Sequence, residues 1–309
     1  MKYRALGRTK LSVSEIGFGC WGIGGLTSAS YGETYDNESI AALYKARDLG
    51  VTLYDTAPAY GRSEDLIGKA FNGSPDVVLA TKVGYLAWDG RPDFTINGIV
   101  TSINRSLKRL RSDRIDLLLL HGAPPAVLDT DEIHEILSSL TEAGKIRYWG
   151  ISAKSPSDAL EVLKSHNVSV IQANFNMMDT RVITSGLFEE IARRGIGFVG
   201  RTPLCFGFLA GKITKETTYP HGDHRLNWSR AQLENWINGS AELLREVDVE
   251  LAALRYCLSF PEVTSIIPGA MKASEVLENA RASDLGPLSK DLLKKVLEIN
   301  EQRRFIVKK

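Results

Sequence analysis

The chain is poor in cysteine, in charge imbalance and in long apolar runs, and each shortage removes a class of function. Its only cysteines are Cys20, Cys205 and Cys257, far apart and without a Cys-x-x-Cys pair. That spacing argues against a disulfide framework and a structural zinc site, and leaves reduced thiols that pack. Lysine and arginine total 38 against 37 acidic residues, a formal net charge of +1. No general attraction to nucleic acid or acidic membranes follows, so anion binding has to be local. No apolar run approaches the ~18 residues of a membrane span. The opening Met1-Lys2-Tyr3-Arg4-Ala5-Leu6-Gly7 lacks an apolar leader segment. The chain reads as cytoplasmic, with no membrane partner. It also lacks a low-complexity linker and any repeat beyond a strand-helix unit.

What is present is a regular alternation. The 309 residues, 43% of them apolar, suit one α/β barrel, which needs about 250 residues plus insertions. Short apolar runs predict strands at Glu15–Phe18, Thr52–Asp55, Val77–Lys82, Asp116–His121, Tyr148–Ser152, Val170–Asn174, Gly197–Arg201 and Ser265–Pro268. Helical patterns fall between them at Ser39–Leu49, Glu64–Phe71, Asn97–Leu110, Asp131–Ala143, Pro156–Lys164, Ser185–Arg194, a long region within Ala231–Leu258, and Ser274–Ala282. Parallel strands joined by crossover helices follow, and eight such units close into a (β/α)8 TIM barrel. We expect a single domain over 1–309. Tyr3-Arg4 and Leu11-Ser12-Val13, flanking Gly7-Arg8-Thr9-Lys10, predict an N-terminal β-hairpin at the barrel bottom, and Lys290–Arg303 an extra C-terminal helix. Thr130 or Asp131 is placed to cap one helix, and Ser155-Pro156 to open the next. The long insertion Thr214–Arg230 follows the seventh strand, where barrel loops sit on the active face.

The string Asp55-Thr56-Ala57-Pro58-Ala59-Tyr60-Gly61 sets a carboxylate at a strand end and a phenol five residues later; Lys82 and His121 end the next two strands. Singly, Asp55 reads as a helix cap, Lys82 as a surface charge and His121 as a satisfied core histidine. Delivered together by three successive strand ends, they are not explained by packing. A phenol protonates a substrate poorly near neutral pH unless the phenolate is stabilised. At ~4 Å and an effective dielectric of ~20, an ammonium contributes about 4 kcal/mol, roughly three pKa units before desolvation and the opposing carboxylate are counted. Lys82 is therefore expected to tune Tyr60, Asp55 to hold Lys82, and His121 to orient the reacting oxygen. Trp21, Tyr54, Tyr85, Trp88 and Trp228 lie near strand ends or in the long loop; Trp21 and Trp88 are taken as substrate-pocket candidates.

Two other patterns are set aside. Gly17-Phe18-Gly19-Cys20-Trp21-Gly22 matches G-x-G-x-x-G, but the glycines continue through Gly24-Gly25 into polar residues instead of opening a helix. His221-x-x-His224 beside Asp223 falls on an irregular loop without further ligands nearby, so no metal site is expected.

The tetrad, with Gly61-Arg62-Ser63-Glu64, Ala80-Thr81-Lys82, Ile115 to His121, Gly144 to Ser152, Arg201-Thr202-Pro203-Leu204, Ile266-Ile267-Pro268-Gly269-Ala270 and Glu278-Asn279, resembles the aldo-keto reductase family over nearly the whole chain. The resemblance implies a nicotinamide-dependent oxidoreductase that reduces an aldehyde or ketone, such as a sugar or aryl carbonyl, with Tyr60 as proton donor. It implies a cofactor held at the carboxamide by Ser152, Asn174 or Gln172, with Arg201 stacking on the ring and the glycine-rich loop approaching it. Pro203, Leu204, Gly207, Leu209, Gly211 and Lys212 would wrap the pyrophosphate, and Asp223-His224-Arg225 resembles a loop that closes over the cofactor. Gly269, Lys272, Glu275, Glu278 and Asn279 would meet the adenosine end. Lys272 favours NADP, whereas Glu275 would repel a 2′-phosphate and keeps NAD as competitor. Two alternatives stand beside it: a cofactor-binding regulatory subunit similar to potassium-channel β-subunits, which share this barrel and tetrad, or a sugar isomerase or dehydratase that retains its cofactor.

Overall fold

The computed structural model describes residues 1–306; the last three residues of the expected domain, 307–309, lie outside the described residues. Ten strands occur in it: β1 (Tyr3–Ala5), β2 (Ser12–Ser14), β3 (Phe18–Gly19), β4 (Leu53–Asp55), β5 (Val78–Val83), β6 (Ile115–His121), β7 (Ile146–Ser152), β8 (Val170–Asn174), β9 (Gly197–Arg201) and β10 (Ser265–Ile267). The last eight form one parallel sheet in chain order. Parallel bridges Ile16 to Ile266 and Gly19 to Gly269 join its two edges into a barrel. The first barrel strand, expected at Glu15–Phe18, is regular only over Phe18–Gly19; Ile16 reaches the ring as an isolated bridge.

Helices α1 (Asp36–Asp48), α2 (Ser63–Phe71), α3 (Ile96–Leu110), α4 (Asp131–Glu142), α5 (Pro156–Ser165), α6 (Arg181–Thr184), α7 (Leu187–Arg194), α8 (Arg230–Val247), α9 (Ala252–Leu258), α10 (Ala273–Leu285) and α11 (Lys290–Gln302) complete the element order. The long helical region breaks in two because Asp248 (φ 33°) and Leu251 (φ 53°) adopt left-handed backbone between α8 and α9. Ser155 caps α5 by accepting from the Asp158 amide at 3.2 Å, with Pro156 in the first turn. Thr130 stands at the start of α4, but its hydroxyl donates to the Val127 carbonyl at 3.2 Å and makes no cap.

Period-two alternation divides the barrel into two apolar layers. Leu118 and Leu120 face outward into the layer shared with the helices. Leu117 and Leu119 face inward, where they join Leu53, Ala80, Val170, Val199 and Ile267. The β1–β2 hairpin adds Leu6, Leu11 and Val13 to that inner layer, plugging the barrel floor. Each such fully buried aliphatic side chain contributes about 1.5–3 kcal/mol over its exposed state. The floor is thus filled, and polar groups on the same inward stripes are left at the other end.

Candidate active site

One step above the plug, the inward stripes turn polar. Leu53 is followed on its face by Asp55, Ala80 by Lys82, Leu119 by His121, Val170 by Gln172 and Val199 by Arg201. Ser152 ends the same stripe of β7, and all six residues lie near the C-terminal ends of parallel strands. That is the end where barrel enzymes carry their chemistry.

Asp55, Lys82, Ser152 and Gln172 are buried and form one chain of hydrogen bonds. Lys82 Nζ donates to Asp55 Oδ1 at 2.6 Å and to the Thr56 carbonyl at 2.8 Å. Gln172 Nε2 donates to Asp55 Oδ2 at 2.7 Å, and Ser152 Oγ donates to Gln172 Oε1 at 2.8 Å. Both oxygens of the Asp55 carboxylate are therefore engaged. Ser152 and Gln172, expected at the cofactor carboxamide, here hold each other and Asp55. The signal that points to them is their place on inward stripes facing β4 across the barrel.

Tyr60 sits in the turn after β4, its amide donating to the Ala57 carbonyl at 3.0 Å. Gly24 packs directly on the Tyr60 carbonyl, where any Cβ would overlap it, so this glycine of the Gly-rich loop fixes the tyrosine's backbone. The Lys82 ammonium lies 4.7 Å from the centre of the phenol ring. The expected downward tuning is overruled: burial pushes the Tyr60 pKa above its ordinary value, Lys82 pulls it down and Asp55 pushes it back up. Burial by itself would lower the Lys82 pKa, but the Asp55 carboxylate and Tyr60 outweigh it and the value rises. His121 is driven well below the usual imidazole range by burial and by the cations Lys82, Arg201 and Lys154. The site combines a neutral phenol, a fixed ammonium and a neutral imidazole.

Trp88 stacks over Tyr60 with centroids 5.7 Å apart and planes 24° apart, and Trp21 lies 6.2 Å from Trp88. Tyr85 meets the His121 ring at 5.6 Å. These aromatic walls surround the phenol, while Tyr54 points outward against Phe18 and Phe71 because it alternates with Asp55. Trp228 packs against Phe206, His224 and Trp236 instead of facing Tyr60.

The residues expected at the cofactor line one side of the mouth. Arg201 donates from Nη2 to the Ala153 carbonyl at 2.9 Å, and its Nε is buried without a partner. Asn174 Oδ1 accepts from Thr202 Oγ1 at 3.0 Å. In the loop containing Pro203, Leu204, Gly207, Leu209 and Gly211, the run Cys205 (φ 43°), Phe206 (φ 56°) and Gly207 (φ 94°) is left-handed. Turns of this kind gather main-chain N–H groups into anion-binding concavities. Here the Cys205 and Gly207 amides are already taken by the Thr202 (2.8 Å) and Leu204 (2.9 Å) carbonyls, so the orphaned guanidinium nitrogen of Arg201 is the open donor that fits a nicotinamide dinucleotide. The loop from 214 to 228 crosses the mouth: the His224 amide donates to the Ser30 carbonyl at 2.8 Å, and Arg225 Nη1 to the Phe206 carbonyl at 3.1 Å. Arg225 also pairs with Asp223 at 2.6 Å.

Among the residues expected at the adenosine end, Glu275 Oε2 accepts from the amides of Met271 (2.7 Å) and Lys272 (3.2 Å) at the start of α10. Lys212 Nζ pairs with Glu278 at 2.9 Å, so the expected pyrophosphate and adenine contacts neutralise each other's charge. Asn279 Nδ2 donates to the Gly269 carbonyl at 3.4 Å. No helix among the described residues is long and apolar enough to cross a membrane.

Comparison with known proteins agrees with this fold. The family model described as Aldo/keto reductase family matches residues 15–301. The Uncharacterized oxidoreductase YqkF of Bacillus subtilis (strain 168) is 31% identical over 95% of this chain and 95% of its own length. A probable voltage-gated potassium channel subunit beta of Oryza sativa subsp. japonica is 29% identical over 93% of each chain. The holo form of an aldo-keto reductase from Bacillus halodurans superposes with a TM-score of 0.77 at 32% identity, covering 97% of this chain and 96% of that one. With a closed parallel barrel and a family match spanning nearly its full length, the chain belongs to the aldo/keto reductase family of NAD(P)H-dependent oxidoreductases.

Proposed function

We propose that this protein reduces an aldehyde or ketone to the alcohol, with Tyr60 donating the proton and Asp55, Lys82 and His121 supporting it. The observation that carries the reading is the buried Asp55–Lys82 pair set against the Tyr60 ring. When bound, the reduced nicotinamide supplies the hydride. Tyr60 passes its proton to the alkoxide that develops on the substrate. The Lys82 ammonium lowers the energy of the phenolate left behind, and acts only as that charge appears, which raises kcat. Asp55, itself held by Gln172, and the Thr56 carbonyl hold the ammonium so that no reorganisation is needed. Neutral His121 donates to the carbonyl oxygen and orients it. Trp21 and Trp88 exclude water and suit an aryl or sugar carbonyl. The cofactor would lie along Asn174, Arg201, the loop 203–212 and the start of α10. The three cysteines, buried and unbridged, support a cytoplasmic setting for a single-domain enzyme acting on small molecules.

For the adenosine end we favour NADH over the NADPH of the sequence reading. The Glu275 carboxylate already takes the two amides at the helix start where a 2′-phosphate would dock, and Lys272 is the nearby cation left to oppose it. Glu275→Gln is expected to raise kcat/KM for NADPH about tenfold while changing that for NADH little, since one like charge is removed from a partly screened site. Paired steady-state kinetics with the two cofactors check this; an unchanged ratio would remove Glu275 from cofactor choice.

The likeness to a potassium channel subunit beta supports a second reading, a protein that binds nicotinamide and reports on it. Cofactor absorbance during incubation with aryl aldehydes, aldoses, 2-oxoaldehydes and ketones separates the two. Carbonyl-dependent oxidation lost in Tyr60→Phe supports the reductase. Tight cofactor binding with no turnover on any of them would replace it with the regulatory reading.

A further inference from the structure

Lys154 is an exposed lysine two residues beyond Ser152, and among the described residues its ammonium has no hydrogen bond or ion pair. It is nevertheless held near the reacting groups. Ser152 of β7 stands opposite His121 of β6, and the Gly122 amide donates to the Ser152 carbonyl at 2.8 Å. The Lys154 stem folds over Gly122: a Cβ at that glycine would stand 2.8 Å from Lys154 Cε and 3.2 Å from Cγ. A residue without a side chain therefore keeps the track of the lysine open. Three cations act on the His121 ring, Lys82, Arg201 and Lys154. The neighbouring carboxylates do not balance them. Asp55 has both oxygens bonded, one to Lys82 and one to Gln172. Asp179, which acts on Arg201, pairs with Arg181 at 2.7 Å. With Tyr60 and His121 neutral, Arg201 and Lys154 leave surplus positive charge beside the two rings. The nicotinamide reading takes Arg201. Lys154 remains, exposed and on a flexible stem, as a point charge for an anion.

We propose that the substrate is an anionic carbonyl compound, carrying a carboxylate or a phosphate, and that Lys154 binds this group while the carbonyl lies between Tyr60 and His121. The inference deepens the reductase reading and rests on it. The aryl and sugar carbonyls suited to the Trp21 and Trp88 walls then narrow to an aryl aldehyde with a carboxylate or a sugar with a phosphate. Both anions answer to the same chemistry, a compact ammonium that any oxyanion can approach.

Steady-state reduction of para-carboxybenzaldehyde beside its methyl ester, and of glyceraldehyde phosphate beside glyceraldehyde, tests the proposal. The parent is expected to favour the anion of at least one pair through a lower KM, and the preference to fade as salt is raised, because an exposed ammonium is screened. Lys154→Met is expected to lower the anion-to-neutral ratio of kcat/KM about tenfold, and Lys154→Arg to restore it. The pair that responds tells carboxylate from phosphate. A ratio that Lys154→Met leaves unchanged in both pairs overturns the proposal. So does an equal loss for charged and neutral members through a raised cofactor KM, which would assign Lys154 to the cofactor. Binding without turnover separates this proposal from the reading beneath it. Para-hydroxymethylbenzoate and glycerol phosphate are titrated by calorimetry into the NADH-loaded protein, and at least one is expected to bind about tenfold more weakly to Lys154→Met. That loss in a protein that reduces no carbonyl would sink the reductase reading and keep the anion site. Equal binding of both probes by parent and variant would remove the anion site whatever the turnover.

Discussion

Tyr60→Phe is expected to lower kcat for carbonyl reduction by about 10²–10⁴-fold, the usual contribution of a positioned acid, while KM changes little. The substitution keeps the ring that packs against Trp88 and Lys82 and deletes only the hydroxyl whose proton is to be transferred. Stability should therefore stay close to the parent, which separates loss of chemistry from loss of fold. The pH profile adds a signed expectation. Burial raises the Tyr60 pKa, so the donor keeps its proton as pH rises through neutrality, and the reductive kcat should fall only in the alkaline range. His121 is held neutral by burial and by neighbouring cations, so no break should appear near its ordinary value. Stopped-flow and steady-state rates across pH test both points. A loss smaller than ~10-fold in Tyr60→Phe would mean that another group supplies the proton.

The second large effect is expected at Lys82. Lys82→Met removes the cation from a pair whose side chains are 1% and 5% exposed. Asp55 would keep only its bond from Gln172. Breaking one side of a buried ion pair costs about 3–5 kcal/mol because the remaining charge is uncompensated. Urea unfolding of Lys82→Met should show that loss, and kcat should fall at least as far as in Tyr60→Phe, since the phenolate loses its counter-charge. The double variant Asp55→Asn with Lys82→Met separates the two consequences: most of the stability should return, because no buried charge remains, while activity should not. A Lys82→Met protein within ~1 kcal/mol of the parent would show that the pair does not support the barrel mouth.

Much of this site is legible along the chain because its ingredients are local. Asp55, Lys82 and His121 end apolar runs, and alternation within each run assigns them to the same face as Leu53, Ala80 and Leu119. Helix starts are legible where the capping group and its amide are close in sequence, as at Ser155. They mislead where a nearby carbonyl competes, as Val127 does for Thr130. The break between α8 and α9 carries no glycine or proline, since Asp248 and Leu251 take the left-handed turns, and so it left no mark in the helical pattern.

The sequence by itself determined the order of eight strand-helix units, the inward stripes, the three side chains Asp55, Lys82 and His121 at their ends, and Tyr60 in the turn after the first of them. Periods of two and 3.6 residues are properties of neighbouring positions and need no knowledge of what lies opposite. Only the tertiary structure decided that Gln172 bonds to Asp55, because β8 and β4 stand on opposite sides of the ring and meet only once it closes. It also decided the proton affinity of Tyr60. Charge proximity can be anticipated from spacing, but desolvation depends on every atom that covers the ring, and those atoms come from Trp21, Trp88 and the Gly24 loop, brought together by the fold.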